Sequence, residues 1–298
     1  MSAATLHSAV LDALGSDIVS GELPAGSVLT LESLQQRYSV SRGVARECMR
    51  ILESLRMVTS QRRTGICISP EQQWNVYDTR MIRWRLDSKH RAAELRSLTE
   101  LRLGIEPIAA HLATLRASAD ERAALRAAAQ DMRRYGTTHR PMRYLAADIE
   151  FHRIILGASG NGMYTALADP IAEVLRESPT HGRSDYPVPE TIGYHEAVME
   201  AICAGDPDAA ERAMTTLLSD VRSALRLLQR ASAHLSSATR AAGAVPGVEV
   251  GAGMQLLDDP SLTPPGLGCQ ARLPRGAQSL RIDTALSPIP PPRGYTHR

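Results

Sequence analysis

The sequence predicts a mainly α fold in two parts: a small N-terminal helical unit closed by a β-hairpin, then an all-α antiparallel bundle. A disordered tail follows. Three observations carry this. Residues 1–70 mix short helical patterns with two β-prone runs. Residues 91–229 keep helical periodicity almost throughout. Residues 230–298 hold nine of the 18 prolines and lose all periodicity.

The composition sets the outer bounds. A chain of 298 residues fits two domains better than one. A hydrophobic content of 43% excludes a wholly disordered chain. No apolar run approaches the roughly 18 residues that a membrane helix needs. The start, Met1-Ser-Ala-Ala-Thr-Leu-His7, lacks the basic and apolar regions of a signal peptide. A cytoplasmic protein is expected. Cys48, Cys67, Cys203 and Cys269 are scattered with no CxxC pair, so they read as reduced, buried small apolar residues.

The first unit opens with a helix in which Leu6, Val10, Leu11, Leu14, Ile18 and Val19 recur at helical spacing. Gly21 stops it, and Leu23-Pro24-Ala25-Gly26 is a turn. A short helix over 31–38 turns Leu31 and Leu34 inward. Ser41 is placed to cap a third helix, from Arg42 to about Leu55, whose inward set is Val44, Cys48, Ile51, Leu52 and Leu55. Residues 57–60 and 66–68 are β-prone, with Arg62, Arg63, Thr64 and Gly65 between them. Helix, helix, turn, helix, hairpin is the winged helix-turn-helix plan.

A net charge of +2 argues weakly against nucleic acid, but the average hides a stripe. Between Arg37 and Arg63 stand seven arginines and two acids, Glu47 and Glu53. The preference for arginine is not itself a signal, because Lys89 is the only lysine in the chain. Arg42, Arg46 and Arg50 follow one face of the third helix, opposite the inward set. Gly43 and Ala45 between them are small, which lets a helix approach a groove closely. Guanidinium groups there can contact phosphates or guanine edges in the major groove, with Arg62, Arg63, Thr64 and Gly65 as a basic wing beside it. The expected DNA-binding set is Ser41, Arg42, Arg46, Arg50, Arg62, Arg63, Thr64 and Gly65.

At these residues the chain resembles a known family. Leu23-Pro24-Ala25-Gly26-Ser27, Val40-Ser41-Arg42-x-x-Ala45-Arg46-Glu47, Leu52-Glu53 and Gly65-Ile66-Cys67-Ile68 resemble the DNA-binding domain of the GntR family of bacterial transcription regulators. Glu32 departs from the pattern, since many members carry there an arginine that touches the DNA backbone.

Residues 71–90 form the expected connector and contain both tryptophans, Trp74 and Trp84, read as pinning it against one domain. The pattern Trp74-Asn75-x-x-Asp78-Thr79-x-x-x-x-Trp84 resembles the sugar-acid branch of the same family. Beyond it, Leu98, Leu101, Ile105, Ile108, Leu112 and Leu115 step as a helical seam. Ser118 to Glu121 is a capping box. Met142, Leu145, Ile149, His152 and Leu156 form another seam, His195, Val198 and Ile202 a third, and Ala213, Leu217, Val221, Leu225 and Leu228 the last. Six or seven helices in a bundle follow. This region resembles the helical effector domain of the FadR subfamily, the FCD domain.

Polar residues fall where this bundle should be apolar. Asp148 and His152 are i, i+4 and can point at one spot, and His195 lies on another seam. Buried polar groups need partners, and one carboxylate with two imidazoles suits a divalent first-row metal such as zinc. The resemblance implies the same: metal-binding members carry Asp-x-x-x-His, a later His and a last-helix His. Asp148, His152 and His195 match the first three positions, and Leu217 replaces the fourth. Arg102 corresponds to an arginine that pairs with an effector carboxylate, although an ion pair with Glu106 at i+4 on the helix surface is the rival reading. Asn161, between two glycines, is read as structural.

The expected function is a homodimeric transcription regulator, a repressor on palindromic double-stranded operator DNA and not an enzyme. A small carboxylate effector, such as an aldonate, would bind Arg102, Asp148, His152 and His195. A fatty acyl or amino-acid-derived effector is the alternative within the class. Outside it stands a metal-dependent enzyme acting on a sugar acid, whose open coordination positions could activate water. No dedicated general base or nucleophile accompanies the site, which argues against that reading.

Overall fold

The computed structural model describes residues 3–61, 65–177 and 189–223, with side chains from residue 7. The tail, Leu225 and Leu228, and the wing residues Arg62, Arg63 and Thr64 lie outside the described residues.

The N-terminal unit packs α1 (Ala3–Ser20), α2 (Leu31–Tyr38) and α3 (Arg42–Ser54) against a three-stranded sheet. Its strands are β1 (Val28–Leu29), β2 (Val58–Gln61) and β3 (Gly65–Ile68), in the order β1-β3-β2 and all antiparallel. The sequence pattern missed β1, a two-residue strand too short for alternation to show. Thr30 and Ser33 cap α2 reciprocally, and Ser41 caps α3 by accepting from the Val44 amide at 3.4 Å. Leu11, Leu14, Leu34, Cys48, Leu52, Met57 and Val58 form the buried centre. Ala45 is also buried there, so its small size serves α1–α3 packing rather than approach to a groove.

The expected connector contains a helix of eight residues. Asp78 caps α4 (Thr79–Leu86) by accepting from the Arg80 amide at 2.8 Å. A 3-10 turn, η1 (Glu71–Gln73), precedes it. Met81 and Trp84 at i, i+3 enter the N-terminal core. Ile82 and Leu86 at i, i+4 pack instead with Leu95, Leu98 and Val174 of the helical domain. Both tryptophans sit on the N-terminal side. The Trp74 indole donates to the Ser69 carbonyl at 3.0 Å, and the Trp84 indole donates to Asp12 at 3.1 Å.

The helical domain comprises α5 (Arg91–Arg116), α6 (Ala119–Thr137), α7 (Pro141–Ala158), α8 (Gly162–Thr165), α9 (Ala168–Glu177), α10 (Pro189–Ala204) and a last described helix, α11, over 207–223. The Ser118–Glu121 capping box forms, and Asn161 caps α8. The expected α5 seam is displaced. Ile108 and Leu115 are exposed, and the face that meets the bundle carries Ala109, Ala110, Ala113 and Thr114 with Arg102 and Glu106. Counting the largest apolar residues misplaces the seam because alanines let α5 lie close to its neighbours. Met142, expected in the α7 seam, is likewise exposed, while Tyr144, Phe151 and Ile155 are fully enclosed.

Gly15 of α1 is the close-approach point between α1 and α4. A Cβ there would lie 2.5 Å from the Trp84 ring. Gly15→Ala is expected to lower stability by about 1–3 kcal/mol through overpacking. In a Trp84→Leu background the same change costs much less. Equal costs in both backgrounds by chemical denaturation would overturn the assigned contact.

Candidate functional site

Two regions bring the expected residues together. The first is the exposed face of α3. Arg42, Arg46 and Arg50 are exposed while Cys48, Met49 and Leu52 are buried beneath them. Arg42 and Arg46 form no ion pair with any described residue, whereas Arg50 pairs with Glu47 at 3.1 Å. Arg37 leaves the stripe, because its guanidinium pairs with Asp17 at 2.8 Å. Gly65 has a fold requirement of its own: its φ is +108° and a Cβ would meet the Leu29 carbonyl at 2.8 Å. Glu32 stands in the first turn of α2, where a carboxylate is favoured by the helix dipole.

The second region lies inside the helical domain. Asp148, His152 and His195 are 2%, 2% and 3% exposed, and one potential ligand atom from each lies within 4.8 Å of the others. Asp148 Oδ1 stands 3.3 Å from His152 Nε2 and 3.2 Å from His195 Nε2. The opposite ring nitrogens face outward. His195 Nδ1 is 2.7 Å from the Thr191 carbonyl. A carbonyl only accepts, so Nδ1 carries the proton and a neutral His195 presents its Nε2 lone pair to Asp148. His152 Nδ1 lies 2.5 Å from Glu106 Oε2, an ion contact that favours the imidazole proton on Nδ1. Phe151, the chain's only phenylalanine, braces both imidazoles edge-on at 5.6 and 5.2 Å between centroids.

Arg102 and Glu106 complete the site. Arg102 Nε donates to Glu106 Oε1 at 2.5 Å, and its Nη2 lies 3.1 Å from His152 Nε2. The i, i+4 pair weighed as a surface contact therefore forms, but with both residues buried beside the histidines. Burial pushes the Glu106 carboxyl up, yet Arg102 and His152 outweigh it and hold Glu106 at about 2. Burial also opposes charge on His152, while Glu106 and Asp148 raise it above its usual value against Arg102. Glu106, Thr191 and Phe151 were missed as site residues. Only the i, i+4 spacing of Glu106 from Arg102 pointed to one of them.

The protonation pattern identifies what fits. If His152 is neutral, its Nε2 lone pair suits Arg102 but opposes Asp148. If His152 is charged, its Nε2 proton suits Asp148 but opposes Arg102. A cation among Asp148 Oδ1, His152 Nε2 and His195 Nε2 reconciles three acceptors aimed at one another. The donor set, two imidazoles and a carboxylate, is that of a borderline divalent metal such as zinc. The outward Nδ1 contacts, with the Thr191 carbonyl and the Glu106 carboxylate, are of the kind that orients metal-bound histidines. Leu217 is buried in the bundle core and offers no ligand atom.

The Arg102–Glu106 pair has a testable energetic consequence. Glu106→Leu strands a buried guanidinium and is expected to cost about 3–5 kcal/mol, while Arg102→Met with Glu106→Leu together recovers most of it. Denaturant titration of the three variants checks this. A single substitution that left stability within about 1 kcal/mol of the parent would contradict the burial of the pair.

Comparison with known proteins finds matches over both regions. Residues 6–68 match the bacterial regulatory proteins of the gntR family, and residues 97–220 match the FCD domain. The chain is 29% identical over 208 residues to the galactonate operon transcriptional repressor of Escherichia coli, covering 69% of this chain and 90% of that protein. It is 28% identical over 206 residues to the uncharacterized regulator YieP of Escherichia coli, covering 69% of this chain and 89% of that protein. A solved structure of Lar, which controls the Listeria monocytogenes agr system, aligns with a TM-score of 0.50 at 17% identity over 74% of this chain and 97% of that one, a likeness of fold. The chain joins a GntR winged helix-turn-helix domain to an FCD domain and belongs among the DNA-binding transcription regulators of GntR type.

Proposed function

We propose that the chain is a homodimeric repressor whose affinity for a palindromic operator is set by a small carboxylate bound with a divalent metal in the helical domain. The observation that carries the effector reading is the buried convergence of Asp148, His152 and His195 beside the Arg102 guanidinium. Asp148, His152 and His195 hold the metal, with zinc the best match to the donors. The metal supplies a Lewis-acid anchor for oxygen atoms. Arg102 supplies two-point recognition of a carboxylate. A site this polar favours an oxygen-rich ligand over a fatty acyl chain, and the similarity to a galactonate operon repressor supports a sugar acid such as an aldonate.

DNA is read by Arg42, Arg46 and Arg50 on α3, with Ser41 fixing the helix start and Arg62, Arg63, Thr64 and Gly65 forming the wing. The half-exposed apolar stripe of α5, with Ile108 45% and Leu115 62% exposed, supports self-association. No described helix is long and apolar enough to cross a membrane. Acting on operator DNA would put the chain to use in the cytoplasm. Regulation without catalysis agrees with these relatives, which are themselves transcriptional regulators by name.

Two substitutions separate the halves of this reading. Arg46→Ala is expected to weaken operator binding about tenfold or more in a gel-shift titration at fixed salt. Unchanged affinity would remove α3 as the recognition helix. His152→Ala is expected to abolish bound metal and effector response while sparing operator affinity. Metal content by elemental analysis equal to that of the parent chain would refute the site.

A further inference from the structure

We infer that Arg102 gates the metal site: its guanidinium and a divalent cation compete for one lone pair, that of His152 Nε2, so an anion that draws Arg102 away tightens the cation. This rests on the reading that Asp148, His152 and His195 hold a divalent metal.

The geometry sets the competition. His152 Nε2 is 3.1 Å from Arg102 Nη2 and 3.3 Å from Asp148 Oδ1. With the proton on Nδ1, beside the Glu106 carboxylate at 2.5 Å, a neutral imidazole has a single in-plane lone pair left, at Nε2. That pair can accept from a guanidinium N–H or bind a cation, but not both. Glu106 makes the exchange possible without unfolding the site. Its Oε1 holds Arg102 by Nε, and its Oε2 fixes His152 by Nδ1. Arg102 can therefore withdraw Nη2 while keeping its buried ion pair, and His152 keeps its orientation in either state.

Charge makes the coupling selective for anions. With neutral imidazoles, Arg102, Glu106 and Asp148 carry one net negative charge. A divalent cation converts this to one net positive charge in a buried site. A monocarboxylate cancels it and takes the guanidinium face that the cation has displaced from His152. Cation and carboxylate then raise each other's affinity by the same factor.

The test is the zinc dissociation constant of the full chain, measured by competition with a chromophoric chelator. Arg102→Gln and Arg102→Met are expected to bind zinc at least about tenfold more tightly than the parent. Arg102→Lys keeps the charge but stops short of His152, and it is expected to tighten zinc as well. Tightening in Gln and Met without Lys would overturn competition for the lone pair and leave simple charge repulsion. Equal or weaker zinc binding in all three, with the parent binding zinc and His195→Ala losing it, would overturn the gate alone. Zinc bound by neither the parent nor any Arg102 variant would overturn the metal reading and the gate together. Should the variants fold poorly, the parent chain labelled with ¹⁵N-arginine gives a second measurement. Zinc is expected to shift the buried arginine side-chain resonance, and an unshifted resonance would overturn the gate.

Discussion

The helical domain is organised around one constraint: charged groups buried in an alanine-rich bundle must satisfy one another. Moving an unpaired ion into such an interior costs several kcal/mol even after relaxation. Arg102, Glu106, Asp148, His152 and His195 are all enclosed, so each helix must deliver its partner in register. Each of three helices does so with one i, i+4 pair: Arg102 with Glu106 on α5, Asp148 with His152 on α7, and the Thr191 carbonyl with His195 on α10. Contacts between the helices add register: Glu106 of α5 meets His152 of α7, and His195 of α10 meets Asp148 of α7, so sliding α5 or α10 by a turn would separate them. Contact between alanines discriminates little, and the polar set adds to the register given by large core residues such as Tyr144 and Phe151.

The same helix that carries Arg102 and Glu106 begins at the contact with α4. Leu95 and Leu98 of α5 meet Ile82 and Leu86, and Arg85 of α4 donates to Glu94 at 2.6 Å. The other face of α4 inserts Trp84 against Gly15 of α1. Apolar packing thus runs from α1, which lies under α3, to the start of the helix that lines the site. Contiguity is not coupling, because coupling needs an element with two arrangements that both sites bias. The element that both domains grip is α4, held by apolar side chains on two faces and by the Arg83–Glu173 pair at 3.1 Å.

Much of this was legible in the sequence, for reasons that can be named. The starts of α2, α3 and α6 were readable because caps and glycines act locally. Asp148, His152 and His195 stood out because polar residues on an apolar seam violate the pattern. The true face of α5 was hidden, since alanine carries little apolar signal while Ile108 and Leu115 carry much and point to solvent. Glu106 was legible only as a neighbour of Arg102, because periodicity cannot tell a buried carboxylate from an exposed one. The two-sided role of α4 was hidden for a related reason. Its eight residues alternate arginines with Met81, Ile82, Trp84 and Leu86, and only the tertiary structure assigns those four to different cores.

The replacement of a fourth ligand by Leu217 acquires a physical meaning beside Arg102. Four protein ligands would hold a metal whether or not an effector were present, and a permanent ion carries no information. Three ligands, one of them contested by a guanidinium as proposed, would leave an ion's retention dependent on oxygen atoms and negative charge from outside. A ligand shifts a two-state equilibrium only by its differential affinity for the two states. On the proposed reading that difference is built in: an aldonate would meet a free guanidinium and an open cation in one state, and an Arg102 turned toward His152 in the other. On the proposed reading, the three-ligand site is the means by which a small carboxylate would gain leverage over α5, and through α4 over α3.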